Sequence, residues 1–206
     1  MARTRAVAAV WVCAVLAASG AENEFIRTWK APDAKPLDFA GRKVAAVVIV
    51  DDLSLQMAAE EALSREIATR GPDAVPSYRL IPRPELANKD SAKAWLEKAG
   101  VQGLVVMKLV DTDTSKTYSS VVFSSGYYGN PWDYWGYGWA SAYPIGRGRT
   151  ETAVTVETLL YDLSTARPIW AGVSRTSNVK DHISFMKALA ADIGKELERA
   201  GLSKKK

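Results

Sequence analysis

The sequence is poor in the residues on which several common chemistries depend. Its 206 residues include one cysteine, Cys13, and one histidine, His182. Cys13 lies in an N-terminal segment that we expect to be removed, so the mature chain would contain no cysteine. That excludes disulfides, thiolate catalysis and cysteine-ligated metal sites. A single histidine without a G-x-S-x-G elbow argues against a serine–histidine triad.

The sequence also lacks a strong excess of charge of one sign. Its 27 basic and 23 acidic residues give a formal net charge of +4. Two of the basic residues, Arg3 and Arg5, lie in the segment expected to be removed, and three more are the last residues, 204–206. Because no basic face remains, we predict no nucleic-acid partner.

Residues 1–21 predict a cleaved export signal. Two arginines are followed by an apolar run over residues 6–18, which is shorter than the roughly 20 residues that span a bilayer. Small residues then precede a cut after Ala21. Cys13 lies inside the apolar run rather than at a cleavage point, so we do not expect lipidation there. We predict an exported protein, periplasmic or extracellular; a buried N-terminal helix is the alternative.

The mature chain alternates strand and helix patterns. The apolar run Lys43–Val50 is typical of a strand buried on both faces. Apolar positions then recur at helical spacing until Gly71-Pro72. The further predicted elements are an edge strand at 25–29, a strand at 77–81, a helix at 92–99 begun by Asp90, strands at 101–110, 152–161 and 168–174, and a last helix begun by Asn178 and ended by Gly201.

This order, β-α-β-α-β, a long insertion, then β-β-α, predicts a single α/β (α+β) domain. We expect a mixed sheet of about five strands with helices packed on its faces. An N-terminal extension spans residues 22–42, and the α/β domain spans 43–200. A Gly/aromatic insertion occupies 112–150, and residues 201–206 form a basic tail.

The first half of the domain resembles two envelope proteins. The segments DFAGRKVAAVVIVDD, AEEALSREIATRG, SYRLIPRPEL and AWLEKAGVQGLVVMKLVD are similar to the α/β domains of the curli-secretion lipoprotein and the Tol-system N-terminal domain. The mature chain also resembles a family of bacterial exported proteins and lipoproteins with an F-x-x-T-W start, here Phe25–Trp29, and a Tyr/Gly/Trp loop. The resemblance implies an extracytoplasmic, non-enzymatic domain of the bacterial envelope. The chain departs from the lipoproteins because it has no lipobox.

Residues 123–143 concentrate the aromatic side chains of the protein. Nine of these 21 positions are aromatic, in a chain with 7 Trp, 8 Tyr and 4 Phe. Tyr and Trp offer large, rigid contact area with a polar tip. We therefore predict a contact surface formed by Tyr127, Tyr128, Trp132, Tyr134, Trp135, Tyr137 and Trp139.

Several roles for this insertion stay open. In one alternative, the insertion folds back over the sheet and buries its own rings. In another, it docks an envelope protein or another copy of the chain. Contact with a membrane surface or a glycan is a further alternative. In a self-associating structural subunit, the Ser/Thr/Tyr-rich arms flanking residues 126–136 would pair as β-hairpins.

Carboxylates and the histidine do not form a recognisable catalytic group in the sequence. Asp51 and Asp52 follow a strand at the end where α/β sheets often bind ligands, but aspartate there is also typical of a helix cap. Glu157 and His182 are expected to face solvent. We predict no catalytic residue, and a hydrolase using Asp or Glu is the rival class.

Cofactor and metal motifs are incomplete. The segment 111–115 imitates half a calcium loop, but Lys116 and Val122 stand where that loop needs Gly and Glu. The segment 146–149 lacks the strand–turn–helix setting of a phosphate loop. We predict neither a metal nor a cofactor, and a non-enzymatic binding or assembly module is the favoured function.

Overall fold

The structure, a computed structural model, describes residues 23–36, 41–111, 129–142, 153–177, 179 and 181–203. These residues form one six-stranded sheet of order β1-β6-β5-β4-β2-β3 with helices on both faces. The strands are β1 (Asn23–Lys30), β2 (Lys43–Ile49), β3 (Asp73–Pro76), β4 (Gly103–Asp111), β5 (Ala153–Asp162) and β6 (Arg167–Ser177). The helices are α1 (Leu53–Ala68), α2 (Lys89–Lys98), α3 (Pro131–Ala140) and α4 (His182–Arg199). The predicted α/β class is confirmed.

The sheet is mixed. Strand β2 runs parallel to β3 and β4, whereas β4, β5, β6 and β1 are successively antiparallel. Strand β1, from the N-terminal extension, is one edge of the sheet. No helix in the described ranges is both long enough and apolar enough to cross a membrane.

Strand β2 separates two hydrophobic cores. Successive side chains of a strand point to opposite faces, so Val44, Ala46 and Val48 pack with α1 and α4. Ala45, Val47 and Ile49 pack with α2 and α3. The continuous apolar run predicted a strand covered on both faces, and helices on both sides of the sheet provide that cover.

Strand β5 is buried more completely than its sequence pattern predicts. Residues Ala153–Tyr161 are all buried, and the expectation that Glu157 faces solvent is wrong because its side chain is 4% exposed. The alternation of polar and apolar residues predicted that one face of the strand is exposed to solvent. In the structure, α3 from the aromatic insertion covers that face, and Tyr134 donates a hydrogen bond to Glu157.

The predicted strand at 77–81 is also wrong. Strand β3 ends at Pro76, and Ser77–Arg79 form a single 3-10 turn. The cause is the carboxylate of Glu60, which is 0% exposed. It accepts hydrogen bonds from Val48 N at 3.1 Å, Ser77 Oγ at 2.7 Å and Tyr78 N at 3.0 Å. The Glu60 carboxylate thus accepts the backbone hydrogen bond from Val48 N that a longer β3 would otherwise accept.

The helix caps are confirmed in one case and corrected in two. Asp52 caps α1 by accepting from Leu55 N at 2.8 Å, which confirms the capping interpretation. Helix α2 is capped by Asn88 rather than Asp90, and α4 is capped by Asp181, while the predicted cap Asn178 lies outside the described residues. Each observed cap has a side chain that reaches the first free backbone N–H groups of its helix.

Three details at the two ends of α4 complete the fold. Helix α4 ends before Gly201, which has a φ of 69°, a left-handed conformation that glycine adopts without steric cost. Leu202, in the predicted basic tail, is 0% exposed and belongs to the core between the sheet and α4. His182, expected to face solvent, is half-buried at the start of α4.

Candidate functional site

The aromatic insertion contains a helix. Asn130 Oδ1 accepts from Trp132 N at 2.8 Å, and Pro131 occupies the first turn, where its missing N–H has no cost. The expected hairpin therefore does not extend through Pro131–Ala140. Its Ser/Thr/Tyr-rich arms, and the predicted contact residues Tyr127 and Tyr128, lie outside the described residues.

Two buried rings hold α3 on the sheet. Tyr134 and Trp135 are both 0% exposed. The Trp135 Nε1–H donates to Leu86 O at 2.8 Å, and the Tyr134 hydroxyl donates to Glu157 Oε2 at 3.2 Å. Full burial of a large aromatic side chain stabilises by roughly 1.5–3 kcal/mol. These contacts offset the low helix propensity of a ten-residue segment with two glycines.

A glycine sets how closely α3 approaches the sheet. A Cβ atom built on Gly138 would lie 2.5 Å from Ile49 Cδ1, which is far inside van der Waals contact. Ile49 is itself 0% exposed, so a side chain at Gly138 would require this buried side chain to move. The absence of a side chain at Gly138 therefore allows the backbone of α3 to rest directly on β2.

A pair of opposite charges lies beneath α3. Lys108 on β4 and Glu157 on β5 are directly paired in the ladder, and they are 2% and 4% exposed. The ammonium Nζ of Lys108 donates to Ser141 Oγ at 2.7 Å and lies 4.2 Å from the ring centre of Tyr137. A cation over an aromatic face is attracted by the ring quadrupole, so the pair ties β4 and β5 to the C-terminal half of α3.

Burial dominates the electrostatics of this region. It lowers the pKa of Lys108, and the nearby charge of Glu157 acts in the opposite direction. Burial also raises the pKa of the Tyr161 hydroxyl well above its ordinary value, and Glu157 adds to that shift. A lysine of lowered pKa is a better nucleophile, but Ser141 and the Tyr137 ring occupy this amine. These contacts fit a structural role for Lys108, which connects β4 to α3.

The outer surface of α3 carries the rings that keep solvent access. Tyr137 is 41% exposed, while Trp132 and Trp139 are half-buried. Of the predicted contact residues, Tyr134 and Trp135 belong to the core and cannot meet a partner while α3 stays docked. The contact role stays a prediction for Trp132, Tyr137 and Trp139.

The sequence contains a helical pattern that separates the buried rings of α3 from the exposed ones. Asn130-Pro131 is a typical helix start. Tyr134, Trp135 and Gly138 then fall at i, i+1 and i+4, which is one face of a helix. Composition alone, with many rings and glycines, does not distinguish the buried rings from the exposed ones, whereas this spacing does.

The two buried carboxylates are not arranged as a catalytic pair. Glu60 accepts from backbone, serine and amide donors, and burial raises its pKa. Glu157 accepts from Tyr134 and is paired with Lys108. Within the described ranges, no three histidine, aspartate or glutamate side chains gather into a group that could hold a metal ion.

Comparison with known proteins finds only distant structural matches. No family model and no curated sequence matches the chain. The chain is similar to the subunit of a PelC dodecamer from Paraburkholderia phytofirmans, with 13% sequence identity and a TM-score of 0.46. The match covers 84% of this chain and 94% of the PelC chain. A variant of the same protein is 12% identical with a TM-score of 0.45, covering 86% and 99%. At these values the similarity does not indicate a shared function.

Proposed function

We propose that this chain is a non-enzymatic binding or assembly module of the bacterial cell envelope, with the outer surface of α3 as its contact surface. One observation carries the proposal. Tyr134 and Trp135 are fully buried and fix the helix to the sheet, while Tyr137 on the same helix is 41% exposed. The partner is an envelope protein or a second copy of the chain.

A docked helix is well suited to contact. Binding with mobile side chains or loops loses conformational entropy, whereas rings already held on a rigid element lose less. The close approach at Gly138 and the Lys108 contact to the Tyr137 ring keep the C-terminal half of α3 in place. Tyr and Trp are also the residues most enriched among energetically dominant interface contacts.

The compartment in this proposal depends on the N-terminal sequence. Residues 1–21 have the basic start, short apolar run and small-residue end of an export signal. A mature chain without cysteine needs no redox partner for folding in an oxidising compartment.

The two buried charges under α3, Lys108 and Glu157, are better placed for a structural role than for hydrolysis. General acid and base groups must reach a substrate. Lys108 and Glu157 instead lie under α3 with Ser141, Tyr134 and Tyr137 as their contacts. The larger clefts of the described chain lie elsewhere and are lined by different residues.

Site-specific crosslinking in intact cells tests the proposal. A photo-crosslinking amino acid replaces Tyr137 in the full exported chain, and the matched control places it at Lys187, an exposed position on α4 on the opposite face of the sheet. We expect a discrete adduct from position 137 that is absent from 187. Two differently tagged copies in the same cells show whether the captured protein is the chain itself.

Two results would count against the proposal. Equal crosslinking from positions 137 and 187 would remove α3 as the contact surface. A chain retained in the cytoplasm with residues 1–21 still attached would remove the envelope from the proposal.

A further inference from the structure

A separate cleft lies beside the N-terminal end of α3, away from Tyr137. It has a volume of about 220 Å³ and lies between α2, α3 and the turn that joins β5 to β6. Its lining includes Lys93, Glu97, Gln102, Trp132, Leu163 and Ser164. This volume is below the roughly 300 Å³ at which drug-sized ligand sites begin, so the cleft suits a single small ring.

The cleft combines aromatic and apolar surface with neutral polar groups. The indole of Trp132 and the side chain of Leu163 supply apolar surface, and both are only partly buried. The exposed amide of Gln102 can donate and accept hydrogen bonds, and the hydroxyl of Ser164 can accept them while it donates to Asp162 Oδ1 at 2.6 Å.

The charges in the cleft compensate each other. Lys93 Nζ lies 3.8 Å from Glu97 Oε1, one helical turn away, so the cleft carries no net charge from its lining. Lys93 Nζ is also 5.8 Å from the centre of the Trp132 ring. A strongly charged ligand gains little here, whereas a neutral ligand rich in hydroxyl groups meets both donors and acceptors.

We propose that this cleft binds one sugar ring of a neutral glycan. The C–H face of a sugar carries partial positive charge and packs against the negative face of an indole. Its hydroxyl groups are then within the reach of the Gln102 amide, the Ser164 hydroxyl and the Lys93–Glu97 pair. Aromatic surface with a few convergent polar groups is the general composition of small-molecule sites.

The wall of the cleft includes the last residue of the β5–β6 loop. Ala166 lines the cleft and has a φ of 51°, a left-handed conformation that costs a residue with a Cβ roughly 1–2 kcal/mol. The hairpin sets this conformation, because residues 163–166 form the loop between the paired residues Asp162 and Arg167.

This inference goes beyond the proposed function and is separable from it. Trp132 belongs both to the outer surface of α3 and to the cleft. Glycan binding also needs the β5–β6 turn, whereas the crosslinking test of partner contact uses the exposed ring of Tyr137 at the other end of α3. Either property can fail without the other.

The direct test is a titration of the folded mature chain with neutral tetrasaccharides, namely chitotetraose, cellotetraose and maltotetraose. Indole N–H signals of the ¹⁵N-labelled protein report on each tryptophan. We expect at least one of the three to shift the Trp132 signal in a saturable way while the Trp95 signal stays in place. If none of the three gives a saturable shift of the Trp132 signal, the proposal is wrong.

Trp95 provides a matched control for mutagenesis. Like Trp132 it is half-buried and has a lysine over its ring, with Lys98 Nζ at 5.0 Å, but it does not line the cleft. Trp132→Ala should weaken binding by about tenfold or more, which is about 1.4 kcal/mol, and Trp95→Ala should not. Gln102→Trp, at an exposed position, fills the cleft without removing a core contact and should also abolish binding. Retained affinity in Gln102→Trp would overturn the assignment even if Trp132→Ala fails to fold.

Discussion

Lys108 on β4 and Glu157 on β5 lie directly opposite each other in the antiparallel ladder, and the aromatic helix α3 covers both. Removing one of two opposite buried charges leaves the other without compensation and costs up to roughly 3–5 kcal/mol, whereas replacing both with apolar residues costs much less. Lys108 and Glu157 therefore connect the aromatic insertion to the sheet, but burying both charges costs free energy.

The first prediction concerns this coupling. Lys108→Met and Glu157→Leu should each lower the free energy of unfolding by about 3 kcal/mol, and the double variant should lose less than either. Urea denaturation followed by tryptophan fluorescence measures all three. Lys195→Met, at a solvent-exposed pair with Asp192, is the matched control and should cost less than about 1 kcal/mol. Strictly additive losses would show that Lys108 and Glu157 are not coupled.

The second prediction concerns Glu60, whose pKa is raised from the ordinary value of 4.5 mainly by burial. A carboxyl whose folded pKa is raised favours its protonated form in the native state. Its contribution to stability is therefore largest below its ordinary value and declines as the pH rises towards the folded pKa. Glu60→Gln removes this titration.

The stability of the original chain relative to Glu60→Gln should accordingly fall as the pH rises above about 4.5. Urea unfolding at a series of pH values between 4 and 7 measures the difference. Glu61→Gln is the control, because the pKa of half-buried Glu61 is lowered, chiefly by the hydrogen bond from Tyr78, and its pH dependence has the opposite sign. A difference for Glu60 that grows with pH would contradict the assignment.

The third prediction compares two glycines of α3. At Gly138 an added Cβ would lie 2.5 Å from buried Ile49 Cδ1, whereas at Gly136 the nearest atom is Lys89 Cδ at 3.8 Å. Gly138→Ala should destabilise by about 1–3 kcal/mol through overpacking. Gly136→Ala should stabilise by about 0.5–1 kcal/mol because alanine is the better helix former. Thermal unfolding ranks the two variants, and the same sign for both would show that α3 does not rest on β2.

The fourth prediction concerns the turn between β5 and β6. Ala166 has a φ of 51°, and glycine at this position relieves the contact between its Cβ and backbone. Ala166→Gly should raise the free energy of unfolding by about 0.5–1 kcal/mol after the entropy cost of glycine in the unfolded chain. Ala99→Gly, at a right-handed position with a φ of −75°, should lower it. If Ala166→Gly is as destabilising as Ala99→Gly, the left-handed conformation is not strained.

Local patterns were sufficient for much of the fold. The run Lys43–Val50 predicted a doubly covered strand, the spacing of apolar residues between Leu55 and Ile67 predicted α1, and their alternation along the chain predicted the α/β class. Each of these inferences depends on residues adjacent in sequence or on one face of one element.

The errors came from contacts between distant segments. Glu60 ends β3 at Pro76 because its carboxylate reaches Ser77 and Tyr78, 17 and 18 residues away in sequence. Glu157 is buried because Tyr134 and its helix cover it. Neither contact is visible in the hydrophobic pattern around the residue whose structure it determines.

By itself, the sequence determined the alternation of strands and helices and the concentration of rings between residues 123 and 143, and the export signal remains a prediction from it. Only the tertiary structure decided which of those rings became core and which kept an open face. The physical reason is that a ring's burial depends on the surface against which its helix packs. For α3 that surface is assembled from β2, β4 and β5, together with the backbone carbonyl of Leu86.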